Sequence, residues 1–169
     1  MLSLAGGVAA VECARAFGAE AGLSWPNDVV CDGRKLAGVL AELGPDGSVL
    51  LGIGMNLAAR AADLPASDRL MPTSLLLETG AAPGAPEALT ALLDSLRPIA
   101  AAFEAGGPSA IAQRARALDA LEGRTVELRL ASGEVVPGTA AGISDDGCLL
   151  VRSAGEVRAY ASGEVARLT

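Results

Sequence analysis

Trp25 to Gly38 reads WPNDVVCDGRKLAG, and the fold turns on its middle. Asp32-Gly33 sits between short apolar runs and has the residue types that accept the backbone of a two-residue hairpin turn. With that turn as the loop, Cys31 pairs with Arg34, Val30 with Lys35, Val29 with Leu36, Asp28 with Ala37 and Asn27 with Gly38. Side chains alternate along a strand, so Asp28, Val30, Lys35 and Ala37 share one face. Asp28 and Lys35 become diagonal neighbours, about 7–8 Å apart at the backbone and within side-chain reach. Gly38 leaves bare backbone opposite Asn27, where a ligand can approach.

Lys35 is the only lysine among thirteen basic side chains, with Arg34 beside it. An arginine-rich chain that keeps one lysine uses either an incidental residue or a compact ammonium that a planar guanidinium cannot replace. Such a point charge suits a carboxylate or phosphate oxygen. It stabilises charge at a reacting phosphorus without exchanging a proton. The chain has no histidine, which removes histidine bases, histidine triads and the commonest metal ligand. A cluster of Asn, Asp, Lys and Gly suits chemistry in which the substrate brings its own nucleophile, such as carboxylate adenylation.

Further on, GIGMN places Gly52, Gly54 and Asn56 at period two on one face. The spacing is that of neither phosphate-loop motif, and no helix follows directly. Two readings remain: a helix packed closely against glycine in a strand, or a ligand laid on bare backbone.

The rest of the chain sets the architecture. Residues 3–21 have helical apolar spacing at Leu4, Val8, Val11 and Phe17, weakened by Gly6 and Gly7, with Gly22 as a C-cap. Residues 23–57 read as three strands divided by Asp32-Gly33 and by the Pro45–Ser48 turn. A Pro/Asp-rich loop spans Ala58 to Pro72, then TSLLLETG reads as a short helix capped by Thr73 or Ser74 and stopped by Gly80. Helical pattern returns from Ala85 to about Leu118, with a kink expected at Pro98. From Thr125 onward short β-like runs alternate with Ser-Gly, Asp-Asp-Gly and Ala-Gly turns, the pattern of a small all-β barrel. The fold class is α+β, with a boundary near Asp119–Gly123 dividing residues 1–120 from 121–169.

Apolar residues make up 51% of the chain, enough for a packed core. The net charge of -7, with no basic run, argues against a nucleic-acid surface. Cys13, Cys31 and Cys148 are odd in number and lie far apart, which suits reduced thiols in a cytoplasm. The apolar opening has no basic leader and is too short for a membrane span.

WPNDVVCDGRKLAGVLAEL, VLLGIGMNL and PTSLLLETG, followed by a small β-unit, together resemble the bacterial biotin–protein ligases in order and spacing over nearly the whole chain. The resemblance implies enzymes that join biotin to ATP as biotinyl-5′-adenylate with Mg2+ present, then pass biotin to a lysine of a carboxyl carrier domain such as that of acetyl-CoA carboxylase. Carried over, Lys35 is the catalytic residue and contacts the biotin carboxylate and the adenylate phosphate. Gly38, Gly52 and Gly54 let biotin pack on backbone. Asn27 and Asn56 serve the nucleotide and its metal, with Asp28 supporting them, while Trp25 and Pro26 shape the strand. The C-terminal β-unit is SH3-like and packs near the site.

Two departures accompany the resemblance. Ser24 stands where the family often has lysine before the tryptophan. The chain also contains no Gly/Arg-rich stretch like the one that folds over the adenylate, so the expectation is the C-terminal portion of a ligase. A missing segment of that kind leaves a sheet edge and an apolar patch open to self-association as a homodimer. The alternatives to a ligase are a non-catalytic module binding a carrier protein or biotin, and an inactive fragment.

Overall fold

The computed structural model describes residues 1–67 and 69–168. Helix α1 spans Leu2–Ala16 and is followed by strands β1 (Ala21–Ser24), β2 (Asp28–Cys31), β3 (Arg34–Leu43) and β4 (Val49–Met55). A 3-10 turn at Ala61–Asp63 and helix α2 (Leu75–Thr79) lead to the long helix α3 (Ala85–Ala117). Strands β5 (Thr125–Arg129), β6 (Val135–Ile143), β7 (Leu149–Ser153), β8 (Glu156–Tyr160) and β9 (Glu164–Leu168) complete the chain.

Helix α1 is buried almost all round from Leu4 to Val11, and Gly6 and Gly7 explain how it comes so close to the sheet. A Cβ on Gly6 would lie 2.7 Å from Val39 Cγ1, and one on Gly7 would lie 2.5 Å from Leu23 Cδ1. The glycines that lower helix propensity are thus the residues that let the helix lie against β1 and β3. The helix ends at Ala16 and residues 21–24 are already strand, so the expected Gly22 C-cap is wrong. Gly22 instead pairs with Val30 in β1.

The first sheet is antiparallel throughout, in the order β1-β2-β3-β4. It has four strands rather than three because residues 25–27 turn the chain between β1 and β2. The hairpin starts as the sequence predicts, with Cys31 opposite Arg34 and Val30 opposite Lys35. A bulge then shifts the register, so Val29 faces Ala37 and Asp28 faces Gly38. Leu36 is the extra residue, fully buried, and Ala37 joins it in the core. Asn27 does not face Gly38: its carbonyl accepts from the Val39 N–H and its Nδ2 donates to the Val39 carbonyl, each at 2.8 Å.

The bulge sorts the sheet into two faces. Val29, Ala37, Val39 and Ile53 lie on the side packed by α1. Asp28, Gly38, Leu40, Gly52 and Gly54 lie on the other. Gly52 and Gly54 therefore do not receive a helix, which closes one of the two readings of GIGMN.

Helix α2 has the expected ends, with Ser74 Oγ accepting from the Leu77 N–H at 3.2 Å and Gly80 left-handed at φ 80°. Helix α3 runs through Pro98 without a break in its backbone, contrary to expectation. The break comes at Gly107 (φ 64°, ψ −158°), just before Pro108.

Strands β5–β9 form a second antiparallel sheet in the order β8-β7-β6-β5-β9, with Val126, Leu128, Ala140, Leu149 and Val151 at its core. These strands form the small all-β unit that the turn pattern predicts, and among the described residues no ladder joins β8 to β9. The Leu23 N–H donates to the Leu118 carbonyl at 2.7 Å and the Ala120 N–H to the Leu23 carbonyl at 2.8 Å, so the segment before β5 covers the β1 edge. Among the described residues no helix is long and apolar enough to cross a membrane.

Candidate functional site

The structure brings Lys35, Asp28, Gly38, Gly54 and Asn56 to one place. Lys35 Nζ lies 2.5 Å from Asp28 Oδ1, off the direction of a regular hydrogen bond. Asp28 is 2% exposed, and a carboxylate so buried needs cationic partners. Its second oxygen, Oδ2, takes Nη2 of Arg69 at 2.6 Å.

The Lys35 backbone is fixed as firmly as its side chain. Its N–H donates to the Met71 carbonyl and its carbonyl accepts from the Thr73 N–H, both at 2.8 Å. The end of the 58–72 loop is thereby stitched to the outer side of β3. The lysine side chain then crosses Gly38: a Cβ there would lie 3.2 Å from Nζ and 3.3 Å from Cε. A side chain at this position would crowd that path and push the lysine aside.

A cleft of about 320 Å³ opens above this floor, lined by Lys35, Gly38, Gly54, Asn56, Arg69 and Leu70. Nothing lies within 4 Å of a Cβ placed on Gly54. Gly52 shares the face but lies beyond the cleft, opposite Leu40. Lys35 is half-buried, with 34% of its side chain exposed, so its ammonium is open to the cleft rather than to bulk solvent alone. Both asparagines are braced by the backbone: Asn27 Nδ2 to the Val39 carbonyl, and Asn56 Nδ2 to the Thr73 carbonyl at 2.9 Å. Each amide nitrogen is thereby oriented by a backbone carbonyl, with its second N–H and the side-chain oxygen left for any ligand contact.

Trp25 is 2% exposed, and its indole N–H reaches the second sheet, as its place in the β1–β2 turn allows. Ser24 faces Asp28 in the β1–β2 register and is fully buried, its Oγ without a hydrogen-bond partner.

Sequence reasoning missed Arg69. It lies in a loop with no periodicity, and only the fold brings it against Asp28, 41 residues away. Burial raises the Cys31 thiol to about 11 and the Cys13 thiol in the same direction, so neither serves as a thiolate nucleophile. A larger cavity, about 450 Å³, lies at the other end of the sheet between Arg15, Gly22, Asp32 and Asp119, and holds none of the predicted residues.

The residues present do not form a seat for Mg2+. Among those described, no group of three or more acidic, cysteine or histidine side chains converges, and both oxygens of Asp28 are engaged by cations.

Fold and cleft together define a class: an α+β chain in which an antiparallel sheet, backed by helices and open on its glycine face, adjoins a small β-sheet. The known proteins that share it are consistent. Residues 123–168 match the family described as the biotin protein ligase C terminal domain. The chain is 34% identical over 172 residues to the biotin–[acetyl-CoA-carboxylase] ligase of Mycobacterium tuberculosis, covering 99% of this chain and 62% of that one. It is 31% identical over 169 residues to the bifunctional ligase/repressor BirA of Escherichia coli, covering 97% and 52%. Its fold matches the biotin protein ligase from Aquifex aeolicus in complex with biotin and ATP, with a TM-score of 0.85, 25% identity, and coverage of 99% of this chain and 71% of that one.

The chain is similar over nearly its whole length to biotin protein ligases. It spans 62% and 52% of the two curated relatives named.

Proposed function

We propose that this chain carries the Lys35 half of a biotin–protein ligase site. In this reading residues 1–120 belong to the catalytic unit and 121–169 to an SH3-like C-terminal unit. A carboxylate oxygen of biotin attacks the α-phosphorus of ATP, forming the mixed anhydride and displacing pyrophosphate. The amine of a carrier-domain lysine then attacks the acyl carbon, releasing AMP and leaving biotin in amide linkage.

Lys35 stabilises the charge that gathers between carboxylate and phosphate. Gly38 and Gly54 give biotin a floor of bare backbone, which Gly52 extends. Asn56 and Asn27 orient the nucleotide through their free side-chain oxygens, and Asp28 holds the lysine in place. Mg2+, which the chain's own residues do not seat, would come with the nucleotide and would supply further positive charge at its phosphates. The partner is a biotin carboxyl carrier domain, and the unbridged cysteines suit a cytoplasmic setting.

One observation carries the reading: the single lysine of the chain lies across Gly38 into a glycine-floored cleft, anchored by a buried carboxylate. Incubation of the chain with biotin, labelled ATP and a carrier domain tests it. The expected result is biotin-dependent pyrophosphate release and a biotinylated carrier. Calorimetric binding of the carrier with no ATP turnover would replace the reading with that of a binding module. Neither binding nor turnover would end it.

A further inference from the structure

Arg69 joins two parts of the molecule that the sequence keeps far apart. Its Nη2 lies 2.6 Å from Asp28 Oδ2 on the first sheet, and its Nε lies 3.1 Å from Glu164 Oε1 on β9 of the second. Lys35 holds the other Asp28 oxygen. Four charged groups thus run in line: Lys35, Asp28, Arg69, Glu164.

The ends of this line differ. Asp28 is 2% exposed, whereas the Glu164 side chain is 54% exposed and leaves its partner for water at little cost. Lys35 and Asp28 alone make a neutral pair with no net attraction for an anion. Adding Arg69 gives the trio one net positive charge at the cleft wall, and Glu164 cancels it when seated. Ser24, facing Asp28, adds no charge of its own. A guanidinium can bridge two carboxylates with separate N–H groups, which an ammonium on a flexible stem does less well.

We infer that Arg69 is a positioning residue: it secures Asp28 from the side opposite Lys35, and Glu164 makes that hold, and the positive charge of the cleft, depend on the C-terminal sheet. The inference rests on reading the cleft as the place where the biotin carboxylate and the phosphate meet. Seating of Glu164 weakens the pull of the cleft on an anion, and its withdrawal strengthens it. The C-terminal sheet therefore acts on the site through one side chain of the loop.

The full chain labelled with carbon-13 at lysine Cε tests this without a ligand, because Lys35 alone gives the signal. Glu164→Gln is expected to shift that signal in the parent chain. The shift should vanish when Glu164→Gln is made in the Arg69→Gln or Arg69→Lys background. A Lys35 signal unmoved by Glu164→Gln, or moved equally with and without Arg69, overturns the inference. The Arg69→Lys background keeps the test decisive should Arg69→Gln fold poorly. Adding biotin and ATP to the same sample tests the ligase reading separately: no response of the parent signal counts against that reading, while the coupling measurement stands by itself. When the parent responds, Arg69→Gln should raise the apparent dissociation constant for ATP about tenfold, as loss of one charge-assisted partner implies. An unchanged constant also overturns the inference.

Discussion

The Trp25 indole N–H donates to the Gly147 carbonyl across 2.9 Å, and Trp25 is 2% exposed. The turn that opens the WPND segment is therefore tied to the β6–β7 turn of the second sheet. Arg116 reinforces the same junction, its Nη1 donating to the Ile143 carbonyl at 3.0 Å and to Asp145 at 2.9 Å.

Trp25→Phe removes that donor and leaves the Gly147 carbonyl without the indole. The expected cost is about 1–3 kcal/mol, the usual range for losing one partner of a buried hydrogen bond. Urea unfolding checks it: the midpoint falls with the slope kept. A midpoint equal to the parent's shows that the bond adds nothing.

Gly38→Ala places a methyl 3.2 Å from Lys35 Nζ and 3.5 Å from Asp28 Oδ1. Gly38 has ordinary backbone angles, so the fold accepts alanine and the lysine side chain moves aside instead. Pyrophosphate release is expected to fall at least about tenfold, equivalent to about 1.4 kcal/mol, with the melting temperature nearly unchanged. Parent-like turnover would show that the ammonium does not need that path.

Asp119 gives a pH signature. Burial pushes its carboxyl up to about 6 from an ordinary 3.8. One oxygen accepts from the Leu121 N–H at 2.9 Å, while the other is buried without a partner. The folded state holds this proton more tightly than the unfolded state, so stability falls as pH rises from about 4 to about 6 and stays reduced above. Asp119→Asn keeps the acceptor for Leu121 and removes the buried charge. The variant should melt higher than the parent at pH 7.5, with the difference shrinking as pH approaches 4. A constant difference across that range would contradict this origin.

How much of this was legible beforehand follows from the range of the forces involved. The Asp32-Gly33 turn, the Ser74 cap and the Gly80 stop are local, and each stands as read. The Asp28–Lys35 pairing survived as well, though by a different route. A bulge at Leu36 made Gly38, not Ala37, the neighbour of Asp28, and a one-residue bulge leaves no mark in an alternating pattern. Gly6 and Gly7 read as helix weaknesses because only the tertiary structure shows Val39 and Leu23 pressed against them. Pro98 misled in the opposite direction, since the chain yields at Gly107, where glycine takes the positive φ at least cost. Arg69 was beyond reach: a contact over 41 residues, made from an irregular loop, has no local signal.

Lys35→Arg is the sharpest probe of the ammonium's role, because charge is kept and only its shape changes. Biotin-dependent pyrophosphate release should be measured for parent and variant under the same conditions. The predicted result is a fall of about 10²–10³-fold, the scale seen when one preorganised donor to a developing charge is lost. Equal release by the two chains would contradict the assignment of Lys35 to the reacting groups.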